Sequence, residues 1–168
     1  MGGNPNIQRA YESMLNDDFE QAIECFEQAI ADEPDNASYH YRLSISFARS
    51  NKLTKALEHA EEACQLDPTS EPYRLHLNTV LARVWMHKAD QLLKEFESSR
   101  LDEAISALIR AVRLDTLSVE ALLMLAVAYE EAGRFAEALT AVEEAVRLEP
   151  QHKEANELLE QFKIRVIQ

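Results

Sequence analysis

The residues that could carry out chemistry are scattered along this chain of 168 residues. Cys25 and Cys64 stand singly, in no CxxC pair, so we interpret them as reduced thiols of a cytoplasmic protein. His87 and Asp90 are three positions apart and could share one helix face, but two ligands without a third do not define a metal site. The sequence also lacks a glycine-rich phosphate loop, an HExxH motif and a GxSxG motif.

Paired carboxylates recur along the chain, at Glu61-Glu62, Glu130-Glu131 and Glu143-Glu144. Adjacent residues of a helix point about 100° apart, so the two members of each pair cannot easily act on one reacting atom. We interpret these pairs as solvated helix edges. The sequence therefore predicts a protein that is not an enzyme and that holds no cofactor and no metal.

A second pattern is regular. A small residue, a bulky apolar residue, an alanine and usually a proline recur four times, as Ala22, Phe26, Ala29, Pro34; Ala56, Ala60, Ala63, Pro68; Ala104, Leu108, Ala111, Thr116; and Ala138, Val142, Ala145, Pro150. The first two occurrences are 34 residues apart, as are the last two. This period is typical of paired antiparallel helices that stack side by side.

The clearest unit runs from Val119 to His152. Its first helix carries an apolar stripe that ends before Gly133, and its second stripe is stopped by Pro150, which cannot continue a helix. This unit resembles the tetratricopeptide repeat (TPR), whose first helix carries a bulky residue, leucine, a small residue and tyrosine. The matching residues are Leu122, Leu125, Ala126 and Tyr129, followed on the second helix by Ala138, Val142, Ala145 and Pro150.

The middle interval is 48 residues, which is 14 more than the period. Apolar residues continue from Tyr73 to Phe96 without a glycine or proline, which predicts one helix from about Glu71 to Glu97. Fourteen residues turn a helix by nearly four turns and lengthen it by roughly 21 Å, so the added segment keeps the same apolar face. We expect the segment from Trp85 to Ser98 to pair with the helix from Leu101 to Leu114.

The predicted fold is an all-α, right-handed helical-repeat solenoid of about nine helices with one extended central helix. We expect a single domain over residues 1–168, with repeats at about 3–36, 37–70, 71–118 and 119–152. A capping helix at 153–167 would cover the last repeat. The first helix of the first repeat should be short, frayed or shifted, because Asn6, Arg9 and Ser13 stand where the family has apolar residues.

The chain is acidic, with a formal net charge of −13. An acidic surface disfavours nucleic acid and anionic membranes, since both attract lysine and arginine, and it permits a basic protein partner. The sequence has no apolar run long enough to span a bilayer.

The resemblance to the TPR family implies a protein-binding function. In that family the first helices line a concave face that binds a peptide or helix of a partner. Carried onto this chain, the partner-binding positions are Ile7, Tyr11, Tyr41, Arg42, Ile45, Leu75, Thr79, Leu123 and Val127. Most of them are apolar, so we expect them to be exposed in the free protein and to bind an apolar or amphipathic segment. Some family members hold a carboxylate in a clamp of Lys, Asn and Arg, but only Arg42 has the required charge here.

The alternative is a self-assembling scaffold. The added length of the central helix would leave Trp85 and Met86 without a covering repeat, and an open apolar flank can bind a second copy of the chain. The sequence alone leaves open the choice between an adaptor and a homo-oligomeric scaffold.

Overall fold

The computed structural model describes residues 5–94 and 98–167, and within them all regular structure is helical. The helices are α1 Pro5–Leu15, α2 Phe19–Asp32, α3 Ala37–Arg49, α4 Leu53–Leu66, α5 Glu71–Leu93, α6 Ser98–Leu114, α7 Val119–Glu131, α8 Phe135–Leu148 and α9 Lys153–Ile167. The prediction of an all-α helical-repeat fold with about nine helices is confirmed over these residues.

Contacts divide the chain into two compact units, Met1–Leu81 and Ala82–Gln168. In the first unit α1 packs on α2, α2 on α3, and α3 on α4. The centre of this unit is filled by Phe26, Leu43, Phe47 and Val80, each no more than 1% exposed. These four side chains come from α2, α3 and the first half of α5, so that half of the long helix belongs to the first unit.

In the second unit α6 packs on α7, α7 on α8, and α8 on α9. Leu108, Val142 and Phe162 are fully buried and contribute one large side chain each from α6, α8 and α9. The second half of α5 lies beside α6, because the Arg110 guanidinium of α6 lies 4.6 Å from the centre of the Trp85 ring. Each pair of helices therefore buries one apolar face against its neighbour.

The turns that join the two helices of a repeat share one backbone feature. Asp17, Asn51 and Gly133 have positive φ angles of 57°, 57° and 71°. They occupy the same position in three of the repeats, just after the first helix of each pair. Glycine takes this left-handed conformation without strain, and Asp and Asn tolerate it better than most other residues.

The central helix α5 is continuous from Glu71 to Leu93 and has 23 residues, against 13 for α3 and α7. The predicted extended central helix is thus confirmed as far as Leu93. Residues 95–97, which the sequence placed in the same helix, lie outside the described residues. Ser98 begins α6, so its predicted place at the end of the long helix is wrong.

We predict that Val84→Pro strongly destabilises the second unit. Val84 lies inside α5, where proline removes a hydrogen bond and its ring clashes with the preceding turn. The expected loss is about 3 kcal/mol or more in the free energy of unfolding, measured by chemical denaturation. Val84→Ala is the control for the lost side chain, and equal stability of the two variants would contradict a continuous helix at this point.

We also predict that the contact between α7 and α8 does not tolerate larger side chains. Ala138 and Ala145 are fully buried, so replacing either with leucine should cost about 1 to 3 kcal/mol of unfolding free energy. Glu143→Leu on the same helix should cost little, because Glu143 is exposed. Three equal melting temperatures would show that this contact does not limit side-chain size.

Candidate functional site

Three predicted partner-binding residues of the first unit, Tyr11, Tyr41 and Arg42, form an aromatic and cationic cluster with two residues of α5. The Arg42 guanidinium lies 5.5 Å from the ring centres of both Tyr11 and Tyr41. Tyr41 in turn lies 4.8 Å from the ring of Tyr73 and meets the ring of His76 edge-on at 5.2 Å. We call these five residues the aromatic cluster.

Arg42 brings a polar atom into this cluster that the protein does not satisfy. Its Nε atom is buried and has no hydrogen-bond partner among the described residues. The neighbouring rings stabilise the guanidinium charge through their faces, but they offer no acceptor in the plane of the N–H bond. A buried donor without an acceptor is costly, and an acceptor from a partner reaches this atom only after the side chains around it move.

The other predicted residues of the first unit surround the cluster unevenly. Ile7 is half-buried and packs on the core, and Ile45 is half-buried on α3. Leu75 is 57% exposed and Thr79 is exposed on α5. Leu75 lies on the same helix as Tyr73 and His76, and its exposed side chain adds apolar area that a partner can cover.

In the second unit the two predicted residues line a cleft of about 270 Å³. Leu123 and Val127 of α7 share its lining with Leu93 of α5, and the carboxylates of Glu120 and Glu154 lie on the same lining. We call it the α7/α9 cleft. It combines an apolar floor with negative charge, which suits a partner side chain that has an aliphatic stem and a positive end.

Two expectations about exposure are wrong. Leu123 is only 6% exposed, because it belongs to the core of the second unit as well as to the cleft. Met86 is also 6% exposed and lies in that core. Trp85 is half-buried and is covered by cations, with Lys88 at 5.1 Å and Arg110 at 4.6 Å from its ring. The predicted open flank is therefore wrong for Met86, whereas Trp85 lines a cleft of about 300 Å³ together with Asp102 and Ser106 of α6.

The structure adds contributors that the sequence did not single out. Tyr73 completes the aromatic cluster, and Leu93, Met124 and His152 complete the α7/α9 cleft. Tyr73 belongs to the apolar stripe of the long helix, which was its only signal. Leu93, Met124 and His152 line one cleft only because α5, α7 and the start of α9 pack together.

A histidine pair in the second repeat was also missed. His40 Nδ1 and His59 Nδ1 are 3.0 Å apart, and His40 Nε2 lies 2.9 Å from the Pro34 carbonyl oxygen. His40 Nε2 must therefore donate to Pro34, and when His40 is neutral its Nδ1 accepts from His59 Nδ1. The only signal was that a polar His40 occupies a position at which the family has a bulky apolar residue.

The candidate residues for chemistry stay apart. Among the described residues, no three His, Cys, Asp or Glu side chains come together as a metal site requires. Burial raises the pKa of the Cys64 thiol, which keeps it protonated and weakens it as a nucleophile. His87 hydrogen-bonds Gln91, and Asp90 pairs with Lys94. In residues 5–94 and 98–167 no helix has the length and apolarity needed to cross a bilayer.

Comparison with known proteins shows the family to which this chain belongs. The tetratricopeptide repeat profile matches residues 9–71 and 90–159, which is most of the chain. The chain belongs to the tetratricopeptide repeat family. This confirms the resemblance inferred from the alanine and proline spacing, and the class is one of protein-binding repeats.

The individual proteins that resemble this chain do so over a short segment or at low sequence identity. The peroxisomal targeting signal receptors of Eremothecium gossypii and Candida albicans are each 34% identical over 80 residues, 46% of this chain. The match spans only 14% of the length of either receptor. Among solved structures, MamA from Desulfovibrio magneticus RS-1 is similar with a TM-score of 0.58 and 16% identity, over 95% of this chain and 82% of that one. YrrB, a TPR protein with an unusual peptide-binding site, has a TM-score of 0.50 and 18% identity, over 93% of this chain and 91% of that one.

The histidine pair generates a prediction about pH. Burial first, and then the neighbouring His40, lower the pKa of His59 below its ordinary value of 6.5; Lys55 also lowers it, while Glu58 and Glu62 raise it. A lowered histidine pKa means that the unfolded chain binds protons more readily, so stability is full above pH 6.5 and falls below it.

The double variant His40→Leu with His59→Ala installs the residues found at the same positions of the fourth repeat, Leu122 and Ala141. We expect its stability to fall less steeply than that of the wild type between about pH 7 and pH 5, measured by denaturation at several pH values. Parallel curves for the two proteins would show that the pair does not contribute to acid sensitivity.

Proposed function

We propose that this protein is a non-enzymatic adaptor that holds a segment of a partner protein against the first helices of its repeats. The observation that carries the proposal is the α7/α9 cleft, an apolar depression on the first helix of a repeat. The aromatic cluster in the other unit gives independent support, because it too lies on first helices. Proteins of the tetratricopeptide repeat family bind other proteins. Membership of this family and the two surfaces together support a binding role.

The chemistry of the two surfaces suggests the kind of partner. In the first unit the half-buried Arg42 guanidinium would donate to a partner carbonyl or carboxylate, while apolar side chains cover Leu75. In the second unit Glu120 and Glu154 favour a lysine or arginine whose stem lies along Val127. We therefore propose a partner segment with mixed apolar and basic side chains. The peptide-binding relatives are compatible with this choice.

The cellular location and the assembly state belong to the same proposal. Cys25 and Cys64 are both free thiols, which fits a reducing compartment, and we propose that the protein acts in the cytoplasm. Self-assembly through Trp85 and Met86 remains a prediction from sequence, and the burial of Met86 removes much of the surface on which it rested.

A binding experiment with selected peptides tests the proposal. Peptides are selected from a phage-displayed random library on the whole protein, synthesised, and titrated against wild type and variants by calorimetry. Aromatic side chains dominate many interfaces, so Tyr41→Ala should weaken binding at the first unit by about 2 kcal/mol or more. Val127→Ala should weaken any peptide that binds the second unit.

The matched control is Glu27→Ala, since Glu27 is exposed on a second helix, α2. This change should leave affinity unaltered. Because Tyr41 also packs on Tyr73, the melting temperature of Tyr41→Ala must be measured beside its affinity. Selected peptides that bind Tyr41→Ala and Val127→Ala as tightly as the wild type would refute the proposed surfaces.

A further inference from the structure

A second and larger cleft lies between α7 and α8, with a volume of about 610 Å³. Leu122, Leu125 and Tyr129 of α7 form its floor, and Ala141 of α8 lies on its wall. It shares no lining residue with the α7/α9 cleft, so it is a separate surface of the same helix. We call it the α7/α8 cleft.

The second repeat shows what fills this space. Helices α3 and α4 begin at Ala37 and Leu53, and α7 and α8 begin 82 positions later at Val119 and Phe135. By this correspondence His59 stands where the fourth repeat has Ala141. The His59 ring stacks on Phe47 with a centroid distance of 5.6 Å and an interplanar angle of 12°.

The equivalent of Phe47 in the fourth repeat is Tyr129. Ala141 has only a methyl group where His59 has a ring, and this difference leaves the α7/α8 cleft open. The second repeat is therefore an internal demonstration that this position, on this backbone, accepts a planar ring stacked on an aromatic residue. Stacked rings of this kind stabilise a contact beyond the effect of their buried area.

Charge specifies the occupant further. Glu137, Glu143 and Glu144 all line the cleft, together with the single cation Arg147. Hydrogen bonds from Arg134 and Arg147 lower the pKa of Glu137 and Glu144 respectively, so both carboxylates stay ionised at neutral pH. The Arg134 guanidinium also lies 4.5 Å from the centre of the Tyr129 ring, so this ring already attracts a cation.

We propose that the α7/α8 cleft binds an aromatic side chain of a partner protein, flanked in the partner by lysine or arginine. The ring enters the space that His59 fills in the second repeat, beside Tyr129 and Ala141. The flanking cations approach the exposed Glu143, while Glu137 and Glu144 already pair with Arg134 and Arg147. The net charge of −13 favours the approach of such a segment. This site goes beyond the surfaces on which the proposed adaptor function rests.

Short peptides of defined chemistry test the proposal on the whole protein. Acetyl-Lys-Trp-Lys-amide is titrated into isotopically labelled protein, and the amide NMR signals are followed. We expect saturable shifts at Leu125, Thr140 and Ala141, with a dissociation constant on the order of 1 mM. Acetyl-Lys-Ala-Lys-amide and acetyl-Glu-Trp-Glu-amide should each bind at least about fivefold more weakly, because they lack the ring or the charge.

Ala141→His is the decisive variant, because it fills the cleft with the ring that the second repeat carries. We expect it to keep its fold and to lose at least about tenfold in affinity for acetyl-Lys-Trp-Lys-amide. Should its spectrum show that it does not fold, the exposed substitution Glu143→Gln replaces it and should weaken binding at least about twofold. Glu27→Ala, an exposed position on α2 that lies outside both clefts, should bind the peptide like the wild type.

The opposite results would overturn the proposal. These are the absence of any saturable shift at peptide concentrations of several mM, shifts that persist unchanged in Ala141→His, or shifts centred on Leu123 and Val127. The last result would assign the peptide to the α7/α9 cleft, which supports the adaptor function and refutes the second site. A result that refutes the adaptor surfaces would leave the peptide-induced NMR shift at Ala141 unchanged. The two hypotheses can therefore be refuted separately.

Discussion

The close contact of paired helices through alanine is the constraint on which the rest of the structure depends. The small residues of the repeat pattern are all fully buried, at Ala22, Ala29, Ala56, Ala63, Ala104, Ala111, Ala138 and Ala145. A methyl group lets two helix backbones approach closely, whereas any larger side chain would push them apart or force strain into the core. This spacing determines which faces of the first helices remain available for a partner.

Within this framework, the second and fourth repeats differ at the residues that fill the space between their helices. The second and fourth repeats have helices of the same lengths, 13 and 14 residues, joined by a turn with one positive φ angle. One repeat fills the space between its helices with His40 and His59, and the other leaves a cleft beside Ala141. The change from His40 and His59 to Leu122 and Ala141 thus replaces a hydrogen-bonded histidine contact with an open cleft that has an acidic rim.

Much of this fold could be predicted from the sequence, because helix boundaries depend on local signals. Pro34, Pro68 and Pro150 follow the ends of α2, α4 and α8 within two residues. The extended α5 followed from an apolar stripe without glycine or proline. The family match across most of the chain confirms that this spacing was informative.

Exposure was harder to predict, because it depends on how far neighbouring helices extend over a face. Periodicity identified the faces of Leu123 and Met86 but not their burial at 6% exposure. The contact between His40 and His59 joins residues 19 positions apart on two helices. His40 is a polar residue at a position where the family has a bulky apolar one, but its partner is apparent only when α3 and α4 are packed together.

Hydrogen–deuterium exchange of the whole protein, with and without a peptide selected from a random library, tests most directly whether the first helices carry the binding surface. The account predicts that the peptide slows exchange in α3 or α7 while exchange in α2 and α4 stays unchanged. A peptide that binds tightly yet protects only α2 and α4 would contradict the account, because it would place the partner on the second helices of the repeats.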